Sequence, residues 1–204
     1  MVTTLYLVRH GETEGSKEKR YKGSLDVPLS ANGIEQVKRA SKFIKKTLTN
    51  PGLKAVYCSN LSRAVKSAEI IASEHGLKPI VVSELRERNF GLWEGMSFDE
   101  IRQKYPEEFD AWVKDPLRFS PVGGESTTEV RDRVIKALEA ILSRHNGDAI
   151  SVVAHGGVNR IMLCHFMGVP LENIFRIEQD YAAVNIIEVW DDYPVVKLVN
   201  GGGF

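Results

Sequence analysis

Short apolar runs suited to strands alternate along this chain with amphipathic stretches suited to helices. No other feature constrains the fold as tightly, because this is the pattern of an α/β protein with a largely parallel sheet. A first strand is expected over residues 5–8. Ser30 reads as the N-cap of a helix that carries Ile34, Val37, Ile44 and Leu48 on one face and ends at Pro51-Gly52. A second strand over 55–58 runs into Ser59-Asn60, and Asn60 is expected to cap a helix over 61–75 that Gly76 terminates. A short third strand is expected over 80–82.

The stretch from 84 to 128 is less regular, with the capping-box pattern Ser97-Phe98-Asp99-Glu100 and breaks at Pro106, Pro116 and Pro121. It reads as a helical insertion over one edge of the sheet. Residues 88–128 are therefore a candidate lid or substrate wall within a single domain spanning 1–204. A second capping box, Ser126-Thr127-Thr128-Glu129, opens a helix with Val130, Val134, Leu138 and Ile141 inward, closed by Asn146-Gly147. Residues 150–154 read as a central strand buried on both faces, followed by a helix over about 158–167 and strands over 183–190 and 195–199. Gly201-Gly202-Gly203 reads as a flexible tail.

Composition narrows the function classes. Hydrophobic residues make up 43 % of 204 and charged residues 26 %, which excludes intrinsic disorder. The 27 Lys and Arg residues balance 27 Asp and Glu. A balanced surface has no general attraction for nucleic acid or an anionic membrane, so any anion site must be a local cluster of cations. Cys58 and Cys164 lie in apolar stretches and are expected to be buried thiols. The first residues lack a basic start and turn charged at Arg9, and no apolar run reaches membrane-spanning length. A cytoplasmic protein is expected.

Chemistry gathers where strands end. The first strand stops at Arg9-His10-Gly11 and the central strand at His155-Gly156-Gly157, while Arg63 falls in the first turn of the helix after the second strand. Ligands of open α/β sheets sit outside the carboxyl ends of strands. Singly, each residue reads more simply as a capped turn or a solvated side chain; together they favour an anion site. Arginine offers bidentate forks to phosphate oxygens, and a neutral imidazole can act as a nucleophile. Arg9 and Arg63 would help keep His10 neutral. A proton donor is also needed, and the stretch from 85 to 95 supplies several carboxylates, Glu94 among them.

These motifs, in this order, resemble the histidine phosphatase superfamily, in its phosphoglycerate mutase-like branch. The residues that carry the resemblance are Arg9-His10-Gly11-Glu12-Thr13, Arg20-Tyr21-Lys22-Gly23, Ser59-Asn60-Leu61-Ser62-Arg63, Glu87 with Phe90-Gly91, Trp93-Glu94-Gly95, Gly123-Gly124-Glu125-Ser126 and His155-Gly156-Gly157. The resemblance implies a three-layer α/β/α sandwich and no metal or other cofactor. It makes His10 the nucleophile that becomes phosphohistidine and Glu87 the proton donor. Arg9, Arg63, His155 and Gly156 would form the phosphate pocket, with Gly23, Lys22 and Ser16 at its rim. Ser16 stands where the family often has Asn, and Lys22 where related phosphatases commonly carry Gln. A short stretch between Glu87 and His155 favours hydrolysis over mutase activity. The C-terminal part resembles alpha-ribazole phosphatases, and Phe109, Trp112, Phe119, Arg102 and Arg118 could line a wall for the leaving group or pack as a small core. The expected partner is a small phosphorylated metabolite. A phosphoglycerate mutase, a non-catalytic phosphate-binding module and a homodimer are left open.

Overall fold

The computed structural model describes residues 1–18, 20–48, 52–191 and 193–202. A six-stranded sheet is built from β1 (Val2–Arg9), β2 (Leu53–Cys58), β3 (Pro79–Val81), β4 (Ala149–Ala154), β5 (Val184–Trp190) and β6 (Tyr193–Gly201), in the order β3-β2-β4-β1-β5-β6. β1, β2, β3 and β4 run parallel, and β5 and β6 are antiparallel additions at one edge.

The alternation along β1 explains the layers. Leu5 and Leu7 point to one face, where they join α5 (Thr127–Leu142) and α6 (Gly156–Met167) through Val134, Leu138, Val158 and Met162. Tyr6 and Val8 point to the other, where they meet α1 (Ala31–Thr47) and α2 (Ser62–Ser73) through Val37, Ile44, Ala68 and Ile71. Both faces of the central strands are thus buried, as their continuous apolar runs require. The result is the three-layer α/β/α sandwich that the family resemblance implies.

β1 and β4 lie side by side at the centre, yet the chain leaves them toward opposite faces, β1 into α1 and β4 into α6. Such a reversal opens a crevice at the carboxyl ends of the two strands. The start of α1 is drawn tightly against the loop behind His10. Ser30 caps the helix by accepting from Gly33 N–H at 3.0 Å, and its hydroxyl donates to Glu12 Oε1 at 2.9 Å. A methyl group on Gly33 would fall 2.0 Å from the Glu12 carbonyl oxygen, and one on Gly11 2.3 Å from the Gly33 carbonyl oxygen, so only glycine permits this crossing.

Between β3 and α5 the chain forms α3 (Phe98–Lys104) and α4 (Pro106–Lys114). Trp93, Ile101 and Phe109 make a separate small core there, with Tyr21, Phe90, Trp112 and Phe119 packed against it. Both capping boxes form as expected, Ser97 with Glu100 and Ser126 with Glu129.

Two local expectations are corrected. Asn60 does not cap α2; Leu61 holds that position without a side-chain bond, and Asp26 Oδ1 accepts from Ser62 N–H at 2.8 Å. A carboxylate 36 positions upstream thus takes the place that local sequence assigns to Asn60. Gly201 is not tail but the end of β6, paired with Val184. Pro51 and Gly203 lie outside the described residues. Cys58 and Cys164 are buried free thiols, and burial pushes the Cys58 thiol up to about 12. No helix among the described residues is long and apolar enough to cross a membrane.

The Gly11–Gly33 crossing yields a direct expectation. Gly33→Ala should destabilise the protein by about 2 kcal/mol or more, in the range of overpacking a tight contact. A thermal melt comparing Gly33→Ala with the exposed substitution Ser73→Ala checks it; equal melting temperatures would contradict the close approach.

Candidate active site

The register of β1 against β4 pairs Arg9 with Ala154, and the His10 N–H donates to the Ala154 carbonyl at 3.0 Å. The residue after each pair is a histidine. The two imidazoles meet edge to face with centroids 5.1 Å apart, His10 being 5 % exposed and His155 fully buried. His10 Nδ1 stands 2.7 Å from the Gly11 carbonyl oxygen. A carbonyl can only accept, so the ring proton is on Nδ1 and Nε2 keeps its lone pair. His155 Nε2 is 2.8 Å from Ser59 Oγ, and its Nδ1 is buried without a hydrogen-bond partner.

Burial, then the charges of Arg9 and Arg63, hold His10 well below the ordinary histidine value. Burial, then His10, Arg63 and Arg9, do the same to His155. Both rings are therefore neutral near pH 7, as a nucleophilic imidazole requires.

The arginines are fixed by neutral oxygens. Arg63 is 2 % exposed, and its guanidinium donates to the carbonyls of Leu25 and Gly23, each at 2.7 Å. Arg9 donates to the Gln179 carbonyl, its Cζ lies 4.0 Å from the Tyr181 ring centroid, and its Nε has no hydrogen-bond partner among the described residues. Among the described residues neither guanidinium is hydrogen-bonded to a carboxylate, although Glu87 is near enough to act electrostatically on both. Burial lowers the pKa of both.

Glu87 approaches from the other side. Its Oε1 accepts from Arg88 N–H at 3.0 Å and its Oε2 from Gly157 N–H at 3.1 Å, in the first turn of α6. The Glu87 backbone is pinned by Arg133 of α5, which donates to the carbonyls of Glu84, Arg86 and Glu87 and pairs through two nitrogens with Glu125. Glu94 is spoken for: its Oε1 accepts from Ser24 N–H at 2.7 Å, Ser24 Oγ at 2.8 Å and Phe90 N–H at 3.1 Å. It braces the loop whose carbonyls hold Arg63 and, unlike Glu87, does not line the cleft.

A cleft of about 340 Å³ brings Arg9, His10, Arg63 and Glu87 together with Ser16, Lys22 and Gly23. Lys22 Nζ donates to Thr13 Oγ1 at 2.7 Å and to the Glu14 carbonyl. Gly23 has φ 49°, and a methyl group there would lie 2.3 Å from Glu94 Oε1, so glycine is required twice over. His155 does not line the cleft but backs His10, and Gly156 is buried against Arg9. Phe109, Trp112, Phe119, Arg102 and Arg118 are not in this cleft; the aromatics pack on one another, with Trp93 stacked on Phe119 at 5.4 Å.

Sequence reasoning missed Tyr181 and Ser59. Tyr181 precedes an antiparallel strand, so its amino end reaches the same edge as the carboxyl ends of β1 and β4, which only the strand order reveals. Ser59 sat inside a quoted motif, but its bond to His155 depends on β2 lying beside β4. Among the described residues no group of three or more His, Cys, Asp or Glu could hold a metal ion.

Comparison with known proteins agrees with this geometry. The model of the histidine phosphatase superfamily (branch 1) matches residues 5–201. Phosphoserine phosphatase 1 of Hydrogenobacter thermophilus is 34 % identical over 196 residues, covering 96 % of this chain and 91 % of the relative. The solved structure of Bacillus stearothermophilus YhfR is 34 % identical, with a TM-score of 0.88 and coverage of 99 % and 98 %. That of the alpha-ribazole phosphatase from Shigella flexneri is 27 % identical, with a TM-score of 0.88 over 98 % of both chains.

The buried neutral pair makes folding pH-dependent. Below the ordinary value of 6.5 the unfolded chain takes up protons at His10 and His155 while the folded chain does not. Their contribution is complete above that value and is lost as pH falls, by up to about tenfold in the folding equilibrium per pH unit and ring. Denaturant midpoints followed from about pH 7 to 5 should therefore fall less steeply in His155→Asn than in wild type; parallel slopes would contradict a neutral buried ring.

Proposed function

The chain belongs to the histidine phosphatase superfamily, branch 1, and on that premise we propose that it is a metal-independent phosphatase that hydrolyses small phosphomonoesters through a phosphohistidine at His10. One observation carries the reading: among the described residues, an imidazole whose Nε2 lone pair is free lines a cleft with two buried guanidinium groups that hydrogen-bond to carbonyls and to no carboxylate.

In the first step the His10 Nε2 lone pair forms a bond to phosphorus as the bond to the leaving oxygen breaks. Glu87, as the carboxylic acid, gives its proton to that oxygen, and an alcohol departs. Arg9 and Arg63 hold the equatorial oxygens, where charge spreads in phosphoryl transfer. The unpartnered His155 Nδ1 suits a further contact to an oxygen once phosphate is bound. In the second step the Glu87 carboxylate takes a proton from water, the water oxygen bonds to phosphorus, and the Nε2–P bond breaks. Inorganic phosphate leaves with His10 neutral again. Gly23, Lys22 and Ser16 form the rim of this phosphate site, and Gly156 leaves room for Arg9.

Within one domain spanning 1–204, residues 88–128 serve as a wall: Phe90 reaches the cleft while the rest packs on itself. Tyr21, Phe90 and Tyr181 give the mouth an aromatic lining suited to a ring-bearing leaving group. Alpha-ribazole phosphate, after which one structural relative is named, is the first ring-bearing substrate to test, with phosphoserine as the comparison that lacks a ring.

Wild type should hydrolyse p-nitrophenyl phosphate undiminished in EDTA, while His10→Ala should lose at least about 10³-fold in kcat, as removal of a nucleophile does. Equal rates in the two would overturn the covalent mechanism. Glu87→Gln should lose about 10²-fold or more on alkyl phosphates and much less on p-nitrophenyl phosphate, whose leaving group needs no proton. A uniform loss in steady-state assays on both substrates would remove Glu87 from the acid role.

A further inference from the structure

We propose that Tyr181 is a further substrate-binding residue: its ring holds the Arg9 guanidinium in place while its phenolic O–H donates to an oxygen of the transferring phosphoryl group. The inference rests on the phosphatase reading and deepens it.

Three independent features of the site converge on this residue. Tyr181 lines the same cleft as His10, and its ring stands 5.8 Å from the His10 ring and 4.0 Å from Arg9 Cζ. A guanidinium stacked on an aromatic face keeps its N–H edges free for a ligand. The phenolic oxygen makes no hydrogen bond to any described residue, so its proton is uncommitted. It is also near enough to both Arg9 and Arg63 to interact electrostatically with each, and those two residues frame the phosphate site.

The backbone is shaped to hold Tyr181 there. Ala182 adopts φ 57°, a left-handed conformation that residues with a Cβ seldom take. Its N–H donates to the His10 carbonyl at 3.1 Å, and the Ala183 N–H closes the turn on the Asp180 carbonyl at 3.1 Å. The strained turn is thus tied to the nucleophile's own backbone and aims the preceding side chain at the cleft. A hydroxyl there also supplements Ser16, which lines the same cleft and whose short side chain offers one donor.

Tyr181→Phe removes the donor and keeps the ring; Tyr181→Leu removes both. With p-nitrophenyl phosphate, Tyr181→Phe should lower kcat/KM by roughly ten- to a hundredfold, and orthovanadate inhibition should weaken by a similar factor, as for loss of one donor to a charged oxygen. Its melting temperature should match wild type. Tyr181→Leu should lose more on both readouts. Tyr181→Phe within about twofold of wild type in kcat/KM and vanadate affinity overturns the inference, as does a loss accompanied by a lowered melting temperature equal to that of Tyr181→Leu. His10→Asn run in parallel separates the two readings: an active His10→Asn enzyme refutes the phosphatase mechanism itself, whereas an inactive one beside an unimpaired Tyr181→Phe refutes only the role of Tyr181.

Discussion

The parallel pairing of β1 with β4 governs this structure. It sets Arg9 level with Ala154, so that each strand delivers a histidine to the same point at the carboxyl edge of the sheet. Two imidazoles and two guanidinium groups then share one buried corner. Four positive charges there would be intolerable, and the rings yield because only they can lose their protons at neutral pH. The arrangement that packs the sheet therefore also sets a neutral imidazole inside a positive field.

The rest of the molecule serves to keep that corner open and its groups aimed. Carbonyls of Gly23 and Leu25 fix Arg63, and Glu94 fixes the loop that offers them. Arg133 and Glu125 fix the segment that carries Glu87. Glu94 also accepts from Phe90 N–H, so the loop behind Arg63 and the segment carrying Glu87 are joined through one carboxylate. Polar side chains are used here as braces against backbone groups more than against one another, which orients charges without cancelling them.

Much of this was legible in residue patterns. The alternation of apolar runs and amphipathic stretches announced an α/β protein with a largely parallel sheet, the family resemblance added the sandwich, and the strand-end positions of His10, Arg63 and His155 announced that these side chains could gather at one edge of the sheet. Both capping boxes were local enough to be read directly. What escaped was non-local: Asp26 displacing Asn60 at the start of α2, Ser59 meeting His155, and Tyr181 arriving from an antiparallel strand. Those contacts depend on which strands become neighbours, and no local periodicity encodes that. The aromatics of residues 98–119 were ambiguous for the same reason, since a ring packs as well on a neighbouring helix as on a ligand.

The central claim is a bond between phosphorus and one ring nitrogen. Mixing the enzyme with a ³²P-labelled phosphomonoester, quenching in alkali within the first turnover, and mapping the labelled peptide tests it most directly. The account predicts an alkali-stable, acid-labile label confined to the peptide containing His10 and absent from His10→Asn. Full turnover with no protein-bound label, or label on any other residue, would contradict it.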